Sequence, residues 1–386
     1  MARILIGWEL GGGNGHATAL AALAARLRAR GHEPVVVAQD VASMPAGLAC
    51  WQAPLWPNQL VAYARPSPRQ PATMGDILAT MGLAKGDAVR ALLAAWDRLL
   101  AAIAPDAVIA EFAPALALTA RGRVPLVAHG TGFSLPPAEL PAFPSLTGAP
   151  AVHDEGALLA TLNRALVGAG RPPLDALPRI FAADRSIVAA FREMDPYRPW
   201  RASHGAPTVA GRVPAGDGTG DELFVYMNGP RARPGALWRG LIESGLPVRV
   251  HDPMLAPAAC DALERAGIAV ERAPVPVARI VERSRLLLSH GGMGSASTAL
   301  LAGLPHFVLP YDLEKEMTAA NVLELGLGWR GDFGTMEAGP LAAALRAAYE
   351  DGALAARARA AAPGFRARMA RGGEEETIDA IEALIA

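Results

Sequence analysis

The sequence predicts an α/β fold with two domains, each containing a parallel sheet. Short apolar segments alternate with segments of helical periodicity, which is typical of strands joined by crossover helices. This alternation stops in a stretch rich in Pro and Gly, residues 195–221, and then begins again. A chain of 386 residues is long enough for two domains of ordinary size.

The first domain is predicted over residues 1–200. Its first apolar strand, 3–7, is followed by a helix over 17–30 that carries leucines along one face, and by a second strand over 34–38. These three elements form a βαβ unit, which is right-handed in nearly all proteins. The other elements predicted for this domain are a helix over 87–103 and strands over 107–110 and 124–128.

Two long segments of the first domain, 50–86 and 130–150, are predicted to be surface loops. They are rich in Pro, Gly, Trp and Met and show no clear periodicity. Long loops of this kind often carry binding functions. Trp51 and Trp56 favour an apolar or aromatic ligand, and packing within the loops is the alternative.

A linker is predicted over residues 201–222 and a second domain over residues 223–370. The strands of the second domain are predicted at 223–227, 247–250, 268–270, 286–288 and 306–309, with helices between them. Residues 371–386 end the chain, and they are predicted to be helical from residue 374 onward.

The composition favours a cytoplasmic protein that does not bind nucleic acid. The formal net charge is −1 and the Lys and Arg residues are scattered along the chain, so no basic surface is expected. Cys50 and Cys260 are far apart and fit no metal-binding spacing, which favours free thiols in a reducing compartment. No transmembrane segment is expected, because Pro105, Asp106 and Glu111 interrupt the most apolar region.

The segment 286–298 predicts a strand, a glycine turn and the start of a helix. The apolar run ends at His290, and the glycines that follow let the main chain approach a ligand closely. Ser295 is predicted to open a helix whose first amides have no intrahelical partners and whose positive end favours an anion. A plain tight turn is the alternative, but a turn needs no imidazole, so His290 favours a phosphate site.

A second glycine turn follows the first strand and ends in Gly15 and His16. Its spacing is similar to a dinucleotide-binding fingerprint, but no acidic residue of the second strand is clearly placed for a ribose, so a nicotinamide site is the weaker interpretation. A histidine is suited to accept a proton in catalysis, because its ordinary pKa lies near neutrality. A helix-capping or merely exposed role is the alternative for His16.

Two further polar residues end predicted strands of the first domain. Glu111 stands just past the strand 107–110, at the edge where the ligand sites of open parallel sheets gather. A carboxylate there is suited to orient His16 and to stabilise its imidazolium, and a solvated loop carboxylate is the alternative. His129 ends the next strand and is a candidate ligand contact, with a structural role as the alternative.

The turn after the strand 286–288 resembles the donor loop of nucleotide-sugar-dependent glycosyltransferases of the GT-B fold. That loop has the form His-Gly-Gly-x-Gly-Ser/Thr, with Thr eight residues after the His, and His290 and Thr298 have this spacing. The branch that the chain resembles, over nearly its whole length, is the bacterial macrolide and natural-product branch of the UDP-glycosyltransferase-like family. The resemblance implies two Rossmann-like domains that face each other across a cleft, with the C-terminal helix returning to the first domain.

The resemblance also implies a donor-binding set that lies, except for Gly15, in the second domain. His290 and the amides of Gly294 and Ser295 would contact the diphosphate, and Thr298 would lie near the ribose. The segment that leads to Val277 corresponds to the region whose backbone reads the base, and Arg231 or Arg233 are further candidates for the leaving-group charge. The full donor-binding set is Gly15, Gly229, Val277, His290, Gly291, Gly292, Gly294, Ser295, Thr298, Glu314 and Lys315.

Glu314 and Lys315 stand where the resembled family usually has an acidic residue and Gln that bind sugar hydroxyls. A Lys cannot accept a hydrogen bond as a Gln can, so Lys315 favours an unusual sugar or a contact with phosphate. The alternative is an exposed charge pair at the start of a helix.

The resemblance implies an inverting, metal-independent glycosyltransferase. His16 would remove the proton of an acceptor hydroxyl, with Glu111 as its partner where the family usually has Asp. The donor would be a UDP-sugar or, as second choice, a TDP-sugar, so no cofactor is expected because the nucleotide sugar is a substrate. No Asp-x-Asp triplet occurs in the sequence, and no metal site is expected. The acceptor is expected to be small, and apolar or lipid-like, with contacts from His129, Trp51 and Trp56.

Two other functions are compatible with the same residues. A nucleotide-sugar epimerase of this fold would need several carboxylates at its site and no separate acceptor pocket, and the long loops of the first domain favour a transferase. A non-catalytic nucleotide-sugar-binding protein is suggested by the altered Glu111 and Lys315. Product formed from any donor would exclude the second of these.

Overall fold

The computed structural model describes residues 1–64, 70–209, 211–228, 234–369 and 372–386. The chain forms two compact units: unit 1 is Met1–Ala206 with Arg371–Ala386, and unit 2 is Pro207–Ala370. Each unit contains a sheet that has six parallel strands within the described residues. The predicted class, two α/β domains with parallel sheets, is therefore confirmed.

Unit 1 has the strand order β3-β2-β1-β4-β5-β6. The strands are β1 (Arg3–Trp8), β2 (Glu33–Ala38), β3 (Cys50–Gln52), β4 (Ala107–Glu111), β5 (Leu126–Gly130) and β6 (Arg185–Val188). The helices between them are α1 (Asn14–Ala29), α2 (Gln59–Ala64), α3 (Met74–Met81), α4 (Gly86–Ile103), α5 (Pro114–Ala120) and α6 (Glu155–Gly168). Strands β1 and β4 lie at the centre, so both of their faces are buried.

Unit 2 has the strand order β12-β11-β10-β7-β8-β9. Its strands are β7 (Glu222–Tyr226), β8 (Val248–His251), β9 (Ala269–Val270), β10 (Ser284–Ser289), β11 (His306–Val308) and β12 (Gly328–Arg330). Its helices are α7 (Gly235–Ser244), α8 (Pro257–Arg265), α9 (Val277–Arg283), α10 (Met293–Ala302), α11 (Leu313–Glu324), α12 (Ala338–Glu350) and α13 (Gly352–Ala367). Helices α7 and α12 pack together over one face of this sheet.

The last helix, α14 (Gly373–Ile385), belongs to unit 1. It packs against α1 and the strands β4 to β6. Ile378 and Ile381 of α14 are fully buried in the same core as Leu20 and Leu23 of α1. The return of the chain end to the first domain, which the resemblance implied, is present in the structure.

The prediction that residues 50–86 form a long loop is wrong, because this segment contains β3, α2 and α3. These elements are too short to show periodicity in the sequence. Helix α3 begins with a capping box: Thr73 Oγ1 accepts a hydrogen bond from the Asp76 amide at 3.1 Å, and Asp76 Oδ2 accepts one from the Thr73 amide at 3.1 Å. Local capping thus specifies a helix where hydrophobic spacing does not.

The segment after β6 remains part of unit 1 as far as Ala206. Asp195 is fully buried and binds two other side chains of this segment. Its Oδ2 lies 2.7 Å from Arg201 Nε and 2.8 Å from His204 Nε2. This segment is rich in Pro and Gly, but buried polar contacts hold it to unit 1. Within the residues that the structure describes, no helix combines the length and apolar character needed to cross a membrane.

Candidate active site

Three side chains meet at the carboxyl edge of the unit 1 sheet, where its strands end. Trp8 of β1 is in register with Glu111 of β4, and Glu111 is in register with His129 of β5. Register partners of parallel strands point to the same face of a sheet, so these three side chains lie side by side. The same face carries α1, which begins at this edge and brings His16 to Glu111.

His16 and Glu111 form a close pair. The Nδ1 atom of His16 lies 2.8 Å from Oε1 and 2.9 Å from Oε2 of Glu111. The side chains are 12% and 3% exposed, respectively. An ionised carboxylate only accepts hydrogen bonds, so Nδ1 carries the hydrogen and Nε2 is the nitrogen of the neutral ring that can accept a proton.

Two aromatic rings pack against the His16 imidazole. The Trp8 ring is stacked on it at a centroid distance of 5.1 Å, and the Phe112 ring lies at 6.3 Å. Trp8 is itself fixed, because its Nε1 donates to the Leu10 carbonyl at 2.6 Å. Phe112 has a φ of 41°, a left-handed conformation that costs a non-glycine residue about 1–3 kcal/mol. The local backbone is thus strained directly beside Glu111.

This geometry argues against one alternative role for each residue. His16 does not cap α1, because the cap position is Gly13 and no side-chain cap bond is made there. Glu111 is 2% exposed, so it is not a solvated loop carboxylate. The pair has the arrangement of a general base with an orienting carboxylate.

His129 lies in the interior of unit 1. It is 2% exposed, and its Nδ1 is 2.8 Å from Thr377 Oγ1 of α14. The Thr377 hydroxyl donates to the Gly373 carbonyl at 2.7 Å, so it accepts from His129 Nδ1. Burial lowers the pKa of His129, although the charges of Glu111 and Glu374 act in the opposite direction. His129 is thus a buried neighbour of Glu111 in the sheet and is bonded to α14.

The two tryptophans differ in exposure. Trp51 is 51% exposed, whereas Trp56 is 2% exposed and its Nε1 donates to Glu9 Oε2 at 2.8 Å. Glu9 also accepts hydrogen bonds from the amides of Ala115 and Leu116, at 3.0 and 2.5 Å. Burial raises the pKa of Glu9 to about 7 despite these donors. Glu9 was not predicted from the sequence, where its one signal is a carboxylate directly after an apolar strand.

The glycine turn of unit 2 joins the end of β10 to α10. The helix begins at Met293, two residues before the predicted Ser295, and its cap residue Gly292 makes no side-chain cap bond. The amides of Met293, Gly294 and Ser295 therefore belong to the first turn, whose N–H groups have no intrahelical acceptor. Gly294 is exposed, and a Cβ atom added there would meet nothing within 4 Å. The first turn is thus open on its outer side and suited to an anion.

His290 lies within a row of rings along the carboxyl edge of the unit 2 sheet. Its ring is stacked on Tyr311 at 5.7 Å and lies 5.9 Å from Tyr226, which is stacked on His251 at 5.9 Å. The residues come from the ends of β7, β8 and β10 and from the segment after β11. Sequence analysis predicted only His290, because the row is assembled from distant parts of the chain.

The other predicted donor residues occupy different settings. Thr298 is 9% exposed and its hydroxyl donates to the Gly294 carbonyl at 2.8 Å, within its own helix. Val277 is the first residue of α9, and Gly15 is exposed in the first turn of α1. Three candidates lie outside the described residues: Gly229, Arg231 and Arg233.

Lys315 is buried, so the alternative of an exposed charge pair is wrong for it. It is 7% exposed, and its Nζ lies 2.5 Å from Glu314 Oε2 and 3.7 Å from Asp312 Oδ2. Burial alone would lower its pKa, but the charges of Asp312 and Glu314 raise it overall. A Cβ atom added at Gly291 would lie 3.4 Å from the Lys315 carbonyl oxygen, so Lys315 packs beside the turn.

In the part of the chain that the structure describes, no three or more His, Cys, Asp or Glu side chains are grouped so as to hold a metal ion.

Comparisons with known proteins all find glycosyltransferases or proteins of antibiotic biosynthesis. Residues 267–381 match the family described as Erythromycin biosynthesis protein CIII-like, C-terminal domain. L-demethylnoviosyl transferase of Streptomyces niveus is 28% identical over 350 residues, which cover 82% of each chain. NDP-glycosyltransferase YjiC of Bacillus subtilis (strain 168) is 47% identical over 57 residues, which span 15% of this chain and only 14% of that protein.

Solved structures show the same fold. The calicheamicin glycosyltransferase CalG4 has a TM-score of 0.71 and 20% identity, covering 100% of this chain and 98% of CalG4. The spinosyn rhamnosyltransferase SpnG has a TM-score of 0.67 and 18% identity, covering 99% of this chain and 100% of SpnG.

The fold is that of the GT-B glycosyltransferases, and the family and sequence matches support the same class. Its C-terminal region matches the EryCIII-like C-terminal domain, and its relatives and structural neighbours are named as natural-product glycosyltransferases. The resemblance predicted from the sequence is confirmed.

Proposed function

We propose that the chain transfers a sugar from a pyrimidine nucleoside diphosphate sugar to a hydroxyl group of an apolar acceptor, with inversion and without a divalent metal. The observation that carries this proposal is the His16–Glu111 pair. A neutral imidazole whose Nδ1 donates to a carboxylate can take a proton at Nε2 while the carboxylate stabilises the imidazolium. Direct attack by the deprotonated hydroxyl on the anomeric carbon is one displacement, and one displacement inverts the configuration.

The donor diphosphate is assigned to the turn between β10 and α10. The first-turn amides and the positive end of α10 are suited to its charge, and His290 stands at the entrance of the turn. The same groups would stabilise the nucleoside diphosphate as it leaves. No separate cofactor takes part in this scheme.

The nucleotide is proposed to be TDP or UDP. SpnG has been solved with thymidine diphosphate and, separately, with the spinosyn aglycone. That precedent supports a TDP-sugar for this chain, while the motif alone favoured a UDP-sugar, so both donors enter the test.

An apolar acceptor is supported by the surface of unit 1. Trp51, Leu55, Leu60 and Val61 stand within one short segment and are 51%, 38%, 70% and 64% exposed. Apolar side chains concentrated on a surface commonly mark a binding site.

The free thiols of Cys50 and Cys260 support a reducing compartment, and we propose that the reaction takes place in the cytoplasm.

The test is an acceptor screen with TDP- and UDP-sugars in the presence of a chelator. Nucleoside diphosphate release is measured with each member of a panel of hydroxylated aromatic and aliphatic compounds, and the anomeric configuration of any product is determined by NMR. The proposal predicts acceptor-dependent release and an inverted product. A retained configuration, or release that requires a divalent metal, would contradict it.

The same screen separates the other two functions. An epimerase would isomerise the nucleotide sugar without releasing nucleoside diphosphate. A non-catalytic binder would be thermally stabilised by a nucleotide sugar but would form no product with any acceptor. The His16–Glu111 pair supports catalysis over mere binding, because a donor site in unit 2 needs no base in unit 1.

A further inference from the structure

A buried Ser–His pair lies directly beneath the glycine turn of unit 2. The Oγ atom of Ser289 is 2.8 Å from Nε2 of His306 and accepts a hydrogen bond from the Gly291 amide at 3.0 Å. Ser289 is fully buried and His306 is 1% exposed. The neighbouring strands set this geometry, because β11 begins at His306 beside Leu287 of β10.

The direction of these hydrogen bonds follows from the donors present. The Gly291 N–H donates to Ser289 Oγ, so the Ser289 hydroxyl must direct its own hydrogen elsewhere. Among the described residues, His306 Nε2 is the acceptor within reach. The hydroxyl therefore donates to Nε2, and the neutral imidazole carries its hydrogen on Nδ1. Burial keeps the ring neutral, since it lowers the pKa of His306 to about 3.

The Gly291 amide lies in the turn, two residues beyond the end of β10. Gly291 has a φ of 92°, and a Cβ atom added there would lie 2.7 Å from Val308 Cγ1. The residue is buried, so its amide needs an acceptor in the native turn. If Ser289 Oγ were missing, the amide would gain by turning toward another acceptor, and the peptide groups after it would turn as well.

We infer that Ser289 and His306 are positioning residues for the donor diphosphate: they fix the Gly291 amide and thereby the orientation of the turn that receives the anion. This inference rests on the proposed function of that turn. His306 does not touch the donor, and its contribution passes through Ser289. A preorganised turn binds more tightly because less ordering remains to be done on binding.

The test is calorimetric titration of TDP and UDP into the full-length protein and its variants. His306→Leu removes the acceptor for the Ser289 hydroxyl and fills its place with an apolar side chain of similar size. Ser289→Ala removes the hydroxyl that joins His306 to the Gly291 amide. Each is expected to weaken binding about tenfold, the value of one such hydrogen bond. The double variant should bind no more weakly than either single variant, because both act through one amide.

Two further variants separate positioning from general loosening. His306→Gln offers a side-chain acceptor in place of Nε2, and its affinity should return to within about twofold of wild type. Phe307→Leu is the matched control: Phe307 is fully buried on the same strand, and its side chain points to the opposite face. It should lower the melting temperature but leave the affinity unchanged.

Wild-type affinity in both His306→Leu and Ser289→Ala would overturn the inference, and so would an equal loss in Phe307→Leu. If His306→Leu fails to fold, Ser289→Ala alone decides, because it removes a single oxygen atom. A wild-type protein that binds neither TDP nor UDP would overturn the proposed function and, with it, the role of the pair.

Discussion

At the level of single residues, the His16 imidazole is held by three different contacts. Glu111 accepts from its Nδ1, and the rings of Trp8 and Phe112 are stacked on it. In the proposed reaction, a base held in this way would have little freedom left to lose when the acceptor binds. The strained φ of Phe112 is consistent with a backbone that is shaped by the site.

The length of the Glu111 side chain is predicted to be essential. Both oxygens reach Nδ1 from the end of β4, and an Asp at this position would be shorter by one methylene group. Glu111→Asp should therefore lower kcat about 100-fold, the cost of displacing a reactive group by about 1 Å, and should leave the KM for the donor unchanged. The measurement is steady-state kinetics with the best acceptor found in the screen. Wild-type kcat would show that Glu111 does not position the base.

At the level of elements, the turn between β10 and α10 and the first turn of α10 contain two glycines with different roles. Gly291 is needed by the fold, since its φ is positive and Val308 leaves no space for a Cβ atom. Gly294 is exposed in the first turn of α10 with open space around it. The space at Gly294 is therefore available to a ligand.

This difference predicts opposite behaviour of two alanine variants. Gly291→Ala should lower the free energy of unfolding by about 1–3 kcal/mol, because of backbone strain and the contact with Val308. Gly294→Ala should leave stability unchanged or slightly higher, yet weaken nucleoside diphosphate binding, because its methyl group occupies the space of the anion. Denaturant unfolding and calorimetry on both variants provide the comparison. Unimpaired binding by Gly294→Ala would place the anion elsewhere.

The buried carboxyl of Glu9 joins three elements of unit 1 and predicts a pH effect. Its pKa is raised to about 7, so the native state retains a proton that the unfolded chain releases near pH 4.5. A raised carboxyl pKa means that stability falls as the pH rises between these values, by about 3 kcal/mol for this group. Glu9→Gln cannot ionise, so its stability relative to wild type should improve by that amount from pH 4.5 to 7. A constant difference across this range would contradict the assignment.

At the level of the whole molecule, α14 ties the end of the chain to unit 1 through two types of contact. Ile381 is fully buried in the core with α1, whereas Arg30, which follows α1 at its C-cap, forms surface ion pairs with Glu375, Asp379 and Glu382 of α14. The buried contact is predicted to dominate, because exposed ion pairs are weak.

Two variants measure this difference. Ile381→Ala should destabilise unit 1 by about 2–5 kcal/mol, as expected for a large-to-small change in a core. Arg30→Ala should cost much less than Ile381→Ala, because the Arg30 side chain is 36% exposed and its ion pairs are screened by solvent. Amide hydrogen exchange in β4 and β5 reports on unit 1 separately from unit 2. An equal loss in both variants would mean that the ion pairs anchor α14.

The sequence predicted those features of the fold and the site that are local. Apolar runs followed by glycine turns placed β1 and β10 and, with them, His16 and His290. The contact of Glu9 with Trp56 and that of Ser289 with His306 join residues 47 and 17 positions apart, and no local pattern in one sequence marks them. The short helices α2 and α3 were missed for a related reason, since one or two turns carry too little periodicity to be distinguished from a loop.

The central claim is that the turn of unit 2 binds a nucleoside diphosphate without metal while the base lies in unit 1. Calorimetric titration of TDP and UDP in the presence of a chelator, with wild type, His290→Ala and His16→Ala, tests it most directly. The account predicts that wild type binds at least one nucleotide equally well with and without chelator, that His290→Ala binds it about tenfold or more weakly, and that His16→Ala binds it as wild type does. Binding that disappears in chelator, or that depends on His16 and not on His290, would contradict the account.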